Sequence, residues 1–195
     1  LPAETYPREL RLADLARRLT ETAFQNVETV FIRAPWESTT VPLASYINPR
    51  EDYIILRTVS DLLGAAKPIS RMSLAGQVEC LVFDRNGEAI LCLWDDYASP
   101  TGHAHHLLLG ARAEQVDLWG RRTPLPGEGL YKTVQVGPTP TFIVNTLTWL
   151  VEFQRQFKVT PQILEPSFDQ LSLAVVFRNT YSESMDGMLR LLLPA

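Results

Sequence analysis

The 195-residue chain has little cysteine, few histidines and no long apolar run. Its two cysteines are too few for the disulfide framework that stabilises many small secreted domains. Its apolar stretches fall far short of the roughly 20 residues that a membrane-spanning helix needs. Positive charge is not in excess: the chain has 18 basic and 22 acidic residues, and its net charge is −4. The sequence therefore predicts neither a nucleic-acid partner nor a membrane partner.

The rest of the composition is typical of a folded globular protein. Hydrophobic residues make up 46% of the chain and charged residues 21%, which argues against disorder. The length allows one domain, or one domain with parts of a neighbour. Composition alone indicates no activity.

Two segments near the N-terminus have the periodicity of amphipathic helices. In residues 8–24 the apolar side chains recur at three- and four-residue spacing, and residues 49–63 repeat that pattern after an asparagine cap and a proline. The short β-branched segment 28–33 between them predicts a strand. Residues 149–157 predict a third helix.

From residue 68 onward the period changes from 3.6 to 2, with turn residues between the segments, which is typical of an antiparallel sandwich. The predicted strands are 71–74, 78–84, 88–94, 105–109, 114–118, 131–136, 141–145, 170–179 and 188–193. We therefore predict an α+β fold, mainly β. Its centre is an antiparallel β-sandwich over 70–145, with the two N-terminal helices packed alongside.

The two cysteines flank a predicted hairpin turn at residues 84–88. A three-residue turn there would make Cys80 and Cys92 direct cross-strand neighbours. A disulfide between directly paired strand residues has poor geometry. We therefore predict that both thiols are reduced and at least partly buried on neighbouring strands.

Two small groups of polar residues are candidates for chemistry. His103, His105 and His106 are the only histidines, but His105 and His106 would point to opposite faces of a strand, whereas a metal site needs three or four converging ligands. Asp95 and Asp96 suit acid–base work or calcium, although adjacent acids at a strand end commonly cap the next loop. The sequence predicts no metal and no cofactor.

Trp36 and Glu37 follow the predicted strand 28–33 across a proline. An exposed indole offers a flat apolar face to the C–H groups of a sugar. The alternative is an aromatic side chain packed within the long loop 35–48. Both interpretations stay open, and the pair is the candidate glycan contact of the sequence.

Three motifs together resemble a known architecture. They are the hairpin of 78–94 around Arg85-Asn86-Gly87, the turn Asp117-Leu118-Trp119-Gly120, and the closing strand 136–143 with Pro140 and Phe142. They resemble the β-sandwich that follows the catalytic (β/α)8 barrel in many bacterial glycoside hydrolases of the clan that uses two glutamates.

The resemblance implies a division of the chain into three parts. Residues 1–68 would be the end of the barrel, with Trp36 where such barrels often place a sugar-stacking tryptophan, and 69–146 the β-sandwich. Residues 147–195 would complete the sandwich or begin an immunoglobulin-like module. The implied partners are neighbouring domains of a longer chain, and carbohydrate. The implied parent protein is secreted or periplasmic.

The expected function follows from what the resemblance leaves out. Seven of the eight barrel strands are missing, together with the positions of both catalytic carboxylates, so no catalytic residue is carried over. We expect a noncatalytic β-sandwich region of a multidomain carbohydrate-processing protein, giving structural support or a weak glycan contact. The alternatives are a protein–protein interaction module, or a small hydrolase that uses Asp95, Asp96 and the histidines.

Overall fold

The computed structural model describes residues 7–31, 51–72, 74, 77–155, 157–162 and 172–177. The chain forms two compact units, Leu1–Val151 and Glu152–Ala195. The first unit contains the sandwich and two helices, and the second contains a β-hairpin.

Two helices of the first unit lie close to the predicted positions. Helix α1 is Arg8–Phe24 and helix α2 is Glu51–Leu63. The proline before α1 suits a helix start, where the missing N–H has no partner to lose. The helices pack against each other, and an ion pair joins their first turns through Arg8 Nε and Glu51 Oε2 at 2.6 Å.

Eight strands of the first unit form two antiparallel sheets. In chain order they are β1 Lys67–Arg71, β2 Glu79–Arg85, β3 Glu88–Trp94, β4 His103–Leu108, β5 Glu114–Val116, β6 Arg122–Pro124, β7 Tyr131–Val136 and β8 Thr141–Leu147. The larger sheet has the order β1-β2-β3-β8-β5-β6, and β4 pairs with β7 in a separate two-stranded sheet.

The central strands of the larger sheet, β2, β3 and β8, are buried on both faces. Alternation along these strands places Phe83 and Phe142 in one core with the apolar stripes of α1 and α2. Leu91 and Ile143 face the other way, into a second core that they share with Val134 of β7. The fold is thus α+β and mainly β, an antiparallel sandwich with the two helices along one side, as the sequence predicts.

The second unit holds an antiparallel hairpin. Helix α3, Thr148–Arg155, leads into it across the boundary between the units. Strand β9 is Phe157–Gln162 and strand β10 is Ser172–Phe177, with Phe157 opposite Phe177. The sequence predicts β10 but misses β9. The predicted strand 188–193 lies outside the described residues.

Both edge strands of the larger sheet differ from the prediction. Strand β1 occupies 67–71 where the sequence predicts 71–74, and β6 is not predicted at all. Each contains a proline, Pro68 in β1 and Pro124 in β6, and a proline in a run argues against a central strand. At a sheet edge the missing N–H has no ladder partner to lose, so the residue is tolerated.

The structure describes residues 28–31 of the predicted strand 28–33, and these residues do not form a strand. Residues 28–31 follow the end of α1 without entering a strand. Residues 32 and 33 lie outside the described part of the chain.

The central hairpin has a shorter turn than predicted. Arg85 pairs with Glu88, and the two loop residues, Asn86 and Gly87, both have positive φ, at 57° and 85°. This is the two-residue type I′ geometry that asparagine–glycine favours. The sequence-based interpretation as a three-residue turn is therefore wrong.

The shorter turn moves the strand register by one residue. Cys80 lies opposite Leu93 and Cys92 lies opposite Leu81, so the predicted direct pairing of the cysteines does not occur. The two thiols point to opposite faces of the sheet, Cys92 toward the helices and Cys80 toward the β4–β7 sheet. Both are free and buried on neighbouring strands, which confirms their predicted state.

Candidate functional site

Trp36 and Glu37 lie outside the described residues. Their role as a glycan contact stays a prediction from the sequence.

The two aspartates after β3 have separate structural partners. Asp95 is only 6% exposed; its N–H donates to the carbonyl of Gly137, and its Oδ1 accepts from the N–H of Tyr97, both at 2.9 Å. Asp96 is half-exposed and pairs with Arg17 at 2.5 Å. Asp95 thus caps the turn that follows the strand, and Asp96 ties that turn to α1.

The three histidines follow one edge of the fold on β4. His103 and His106 are exposed, and the Nδ1 of His106 lies 3.1 Å from the hydroxyl of Thr133 on β7. His105 is half-buried, and its pKa is lowered first by the loss of solvent and then by the positive charge of His103. In the described ranges, no three histidine, cysteine or acidic side chains come together as metal ligands.

A groove that sequence reasoning missed runs between the start of α1 and the ends of several strands. Its volume is about 440 Å³. We call it the Trp119 groove, and its lining includes Glu9, Gln115, Trp119, Gln135, Thr139 and Thr141. These side chains come from α1, β5, the β5–β6 turn, β7, the β7–β8 connection and β8. The fold thus collects an aromatic ring, two amides and two hydroxyls at one place.

The aspartate of the β5–β6 turn fixes the tryptophan. Asp117 Oδ1 accepts hydrogen bonds from the N–H groups of Trp119 and Arg121, at 2.9 and 3.0 Å, and its Oδ2 accepts from Arg121 Nε at 2.7 Å. Gly120 completes the turn with a φ of 79°, where glycine is favoured. The indole of Trp119 stays 38% exposed and also borders a smaller groove of about 230 Å³ beside α2.

One polar atom at the Trp119 groove is buried without a partner. Thr141 is 5% exposed, and its Oγ1 has no hydrogen-bond partner in the described part of the chain. Gln115 pairs with Ile143, two residues along β8 from Thr141, so the side chains of Gln115 and Thr141 share a face of the sheet. A buried hydroxyl without a partner destabilises the fold unless something else satisfies it.

Replacing Asp117 with alanine should lower the free energy of unfolding by about 1–2 kcal/mol, because three hydrogen bonds to one carboxylate are lost together. Urea denaturation measures this loss. Asp61→Ala is the matched control, since its ion pair with Arg57 is exposed and spans 3.5 Å, and should cost no more than about 0.5 kcal/mol. Equal losses in the two variants would contradict the role assigned to Asp117.

No protein-family model and no curated protein sequence matches the chain. Among solved structures it is similar to a family 39 glycoside hydrolase from the gut symbiont Bacteroides cellulosilyticus WH2, with a TM-score of 0.53 and 18% identity, over 69% of this chain and 30% of the other. It is also similar to a GH30 endoxylanase from Clostridium papyrosolvens C71, with a TM-score of 0.50 and 9% identity, over 69% and 38%.

The fold of the chain is thus similar to part of the fold of these two enzymes. The chain spans only about a third of the length of each of them. Along the ranges that the structure describes, no helix has the length and apolar character needed to cross a membrane.

Proposed function

We propose that this chain is the noncatalytic β-sandwich region of a multidomain carbohydrate-processing protein, in which it supports a neighbouring domain. The observation that carries the proposal is the likeness to two glycoside hydrolases, which extends over 69% of this chain but only 30% and 38% of theirs. The chain therefore corresponds to one region of a larger architecture.

The burial of the sheet supports a structural role. Apolar side chains fill both of its faces, with helices against one and a second sheet against the other. Such a body is close-packed and rigid. Among the described strands, the central ones of the larger sheet are covered on both faces. This arrangement suits a domain that holds its neighbour in place.

The partners of the described acids support a noncatalytic role. Glycoside hydrolysis uses two carboxyl groups roughly 5–10 Å apart, on either side of the scissile bond. Asp117 lies at the Trp119 groove, but both of its oxygens accept hydrogen bonds within its own turn. Asp95 and Asp96 are engaged in the turn after β3.

We expect no turnover from the 195-residue chain on aryl-glycosides or oligosaccharides, because Asp95, Asp96 and Asp117 each hold structural partners among the described residues. Release of the aryl group and of reducing ends are the measurements. The product of the natural gene, if it extends beyond this segment, should hydrolyse a glycan that the chain leaves intact. Hydrolysis by the chain alone that is lost in Glu37→Ala or Asp95→Ala would identify it as an enzyme.

A further inference from the structure

We infer that the Trp119 groove is a binding subsite for a neutral oligosaccharide. The inference rests on the proposed function for the class of ligand, while the site itself rests on the geometry of the groove. Its volume of about 440 Å³ falls in the range of roughly 300–1,000 Å³ that is usual for small-molecule sites.

The aromatic wall of the groove stands on a hydrogen-bonded turn. Asp117 accepts a hydrogen bond from the backbone N–H of Trp119, and the residue stays partly exposed at the groove. An indole has few rotatable bonds, so it offers a large apolar face at low cost in conformational entropy. The C–H face of a pyranose ring is the complement of that surface.

The polar wall matches hydroxyl groups. The hydroxyls of Thr139 and Thr141 and the amides of Gln115 and Gln135 can each donate and accept, as sugar hydroxyls do. The Thr141 hydroxyl is buried, and no described residue bonds to it. Because its oxygen has no accessible surface, a bound sugar would instead meet the exposed side chains of Gln135 and Thr139.

The charges favour a neutral sugar over an anionic one. Among the described lining residues the one basic side chain, that of Arg121, already pairs with Asp117 at 2.7 Å. Glu9 adds a further acid to the lining. An anionic sugar or a phosphate would thus meet no unneutralised positive charge among these residues. The amides and hydroxyls of the lining therefore favour a neutral sugar.

The test is a titration of the full 195-residue chain with xylohexaose, cellohexaose and mannohexaose, followed by NMR shifts and calorimetry. We expect at least one of the three to bind. Trp119→Ala should raise its Kd about tenfold, because the stacking face is lost. Gln135→Ala, which removes an exposed amide from the groove lining, should raise the Kd about threefold or more without lowering the melting temperature.

Trp149→Ala is the matched control, because Trp149 is also a half-exposed tryptophan of the first unit and lies outside the groove lining. Its Kd should equal that of the unchanged chain. The inference is overturned if none of the three oligosaccharides binds, if Trp119→Ala and Gln135→Ala both bind as the unchanged chain does, or if Trp149→Ala weakens binding equally. The proposed function fails on a different result, hydrolysis of these same oligosaccharides.

Discussion

Replacing Phe83 with alanine should lower the free energy of unfolding by about 3–5 kcal/mol, the loss typical of a large aromatic removed from a close-packed core. Phe83 is fully buried on β2, in the core between the larger sheet and the two helices. Its ring meets that of Phe24 from α1 edge to face, with centroids 5.8 Å apart. The substitution therefore removes both core volume and an aromatic contact between sheet and helix.

Urea denaturation followed by circular dichroism measures the effect. Tyr97→Ala is the control, because this aromatic is 81% exposed, and the change should stay within about 0.5 kcal/mol. A loss below about 1 kcal/mol for Phe83→Ala would mean that α1 is not docked on the sheet. The predicted layer of helices along the sandwich would then be wrong.

Periodicity in the sequence predicts the helices and the central strands, because burial imposes it. Residues 8–24 form α1 as predicted, and 88–94 form β3 with no change of bounds. The same periodicity does not show whether a strand lies at the centre or at the edge of the sheet. A proline such as Pro68 excludes a central strand but not an edge strand, so the two edges of the sheet are misplaced or missed.

The hairpin shows how one residue of turn length changes a prediction about chemistry. Asparagine and glycine at positions 86 and 87 suit both a two-residue and a three-residue loop. The side-chain period of a strand is 2, so the choice decides which residues face each other. The structure has the two-residue loop, and as a result Cys80 and Cys92 lie on opposite faces.

The candidate site is harder to predict than the fold, because its residues are far apart in the sequence. Glu9 and Thr141 both line the Trp119 groove although 132 positions separate them, and no local pattern connects them. The signal that could have found it is the turn Asp117-Leu118-Trp119-Gly120. An aspartate that caps a tight turn leaves the tryptophan within that turn with little room to bury its ring.

Raising the pH from 8 to 10.5 should destabilise the protein through its two buried thiols, by about 4 kcal/mol together. Loss of solvent raises the pKa of Cys92 from its ordinary 9.0 to about 12; the hydrogen bond to Thr20 opposes this rise, and Glu21 adds to it. Loss of solvent also raises the pKa of Cys80, with smaller contributions from Cys92 and Glu79.

The sign follows from which state binds the proton. Below pH 9.0 both thiols are protonated in the folded and in the unfolded chain, so their contribution to stability is fully present. Between 9.0 and the raised folded pKa values, only the unfolded chain releases these protons. Each cysteine then removes about 1.4 kcal/mol of stability per pH unit.

The measurement is urea denaturation at several pH values from 8 to 10.5, under reducing conditions. The double variant Cys80→Ala/Cys92→Ala is the control, because tyrosines and lysines also titrate in this range and contribute equally to both proteins. The double variant has a lower stability at pH 8, since two buried side chains are shortened, but it should lose about 4 kcal/mol less than the unchanged chain by pH 10.5. Parallel curves for the two proteins would mean that both thiols are open to water in the folded state, and that their neighbours in the core are packed less closely than the strands indicate.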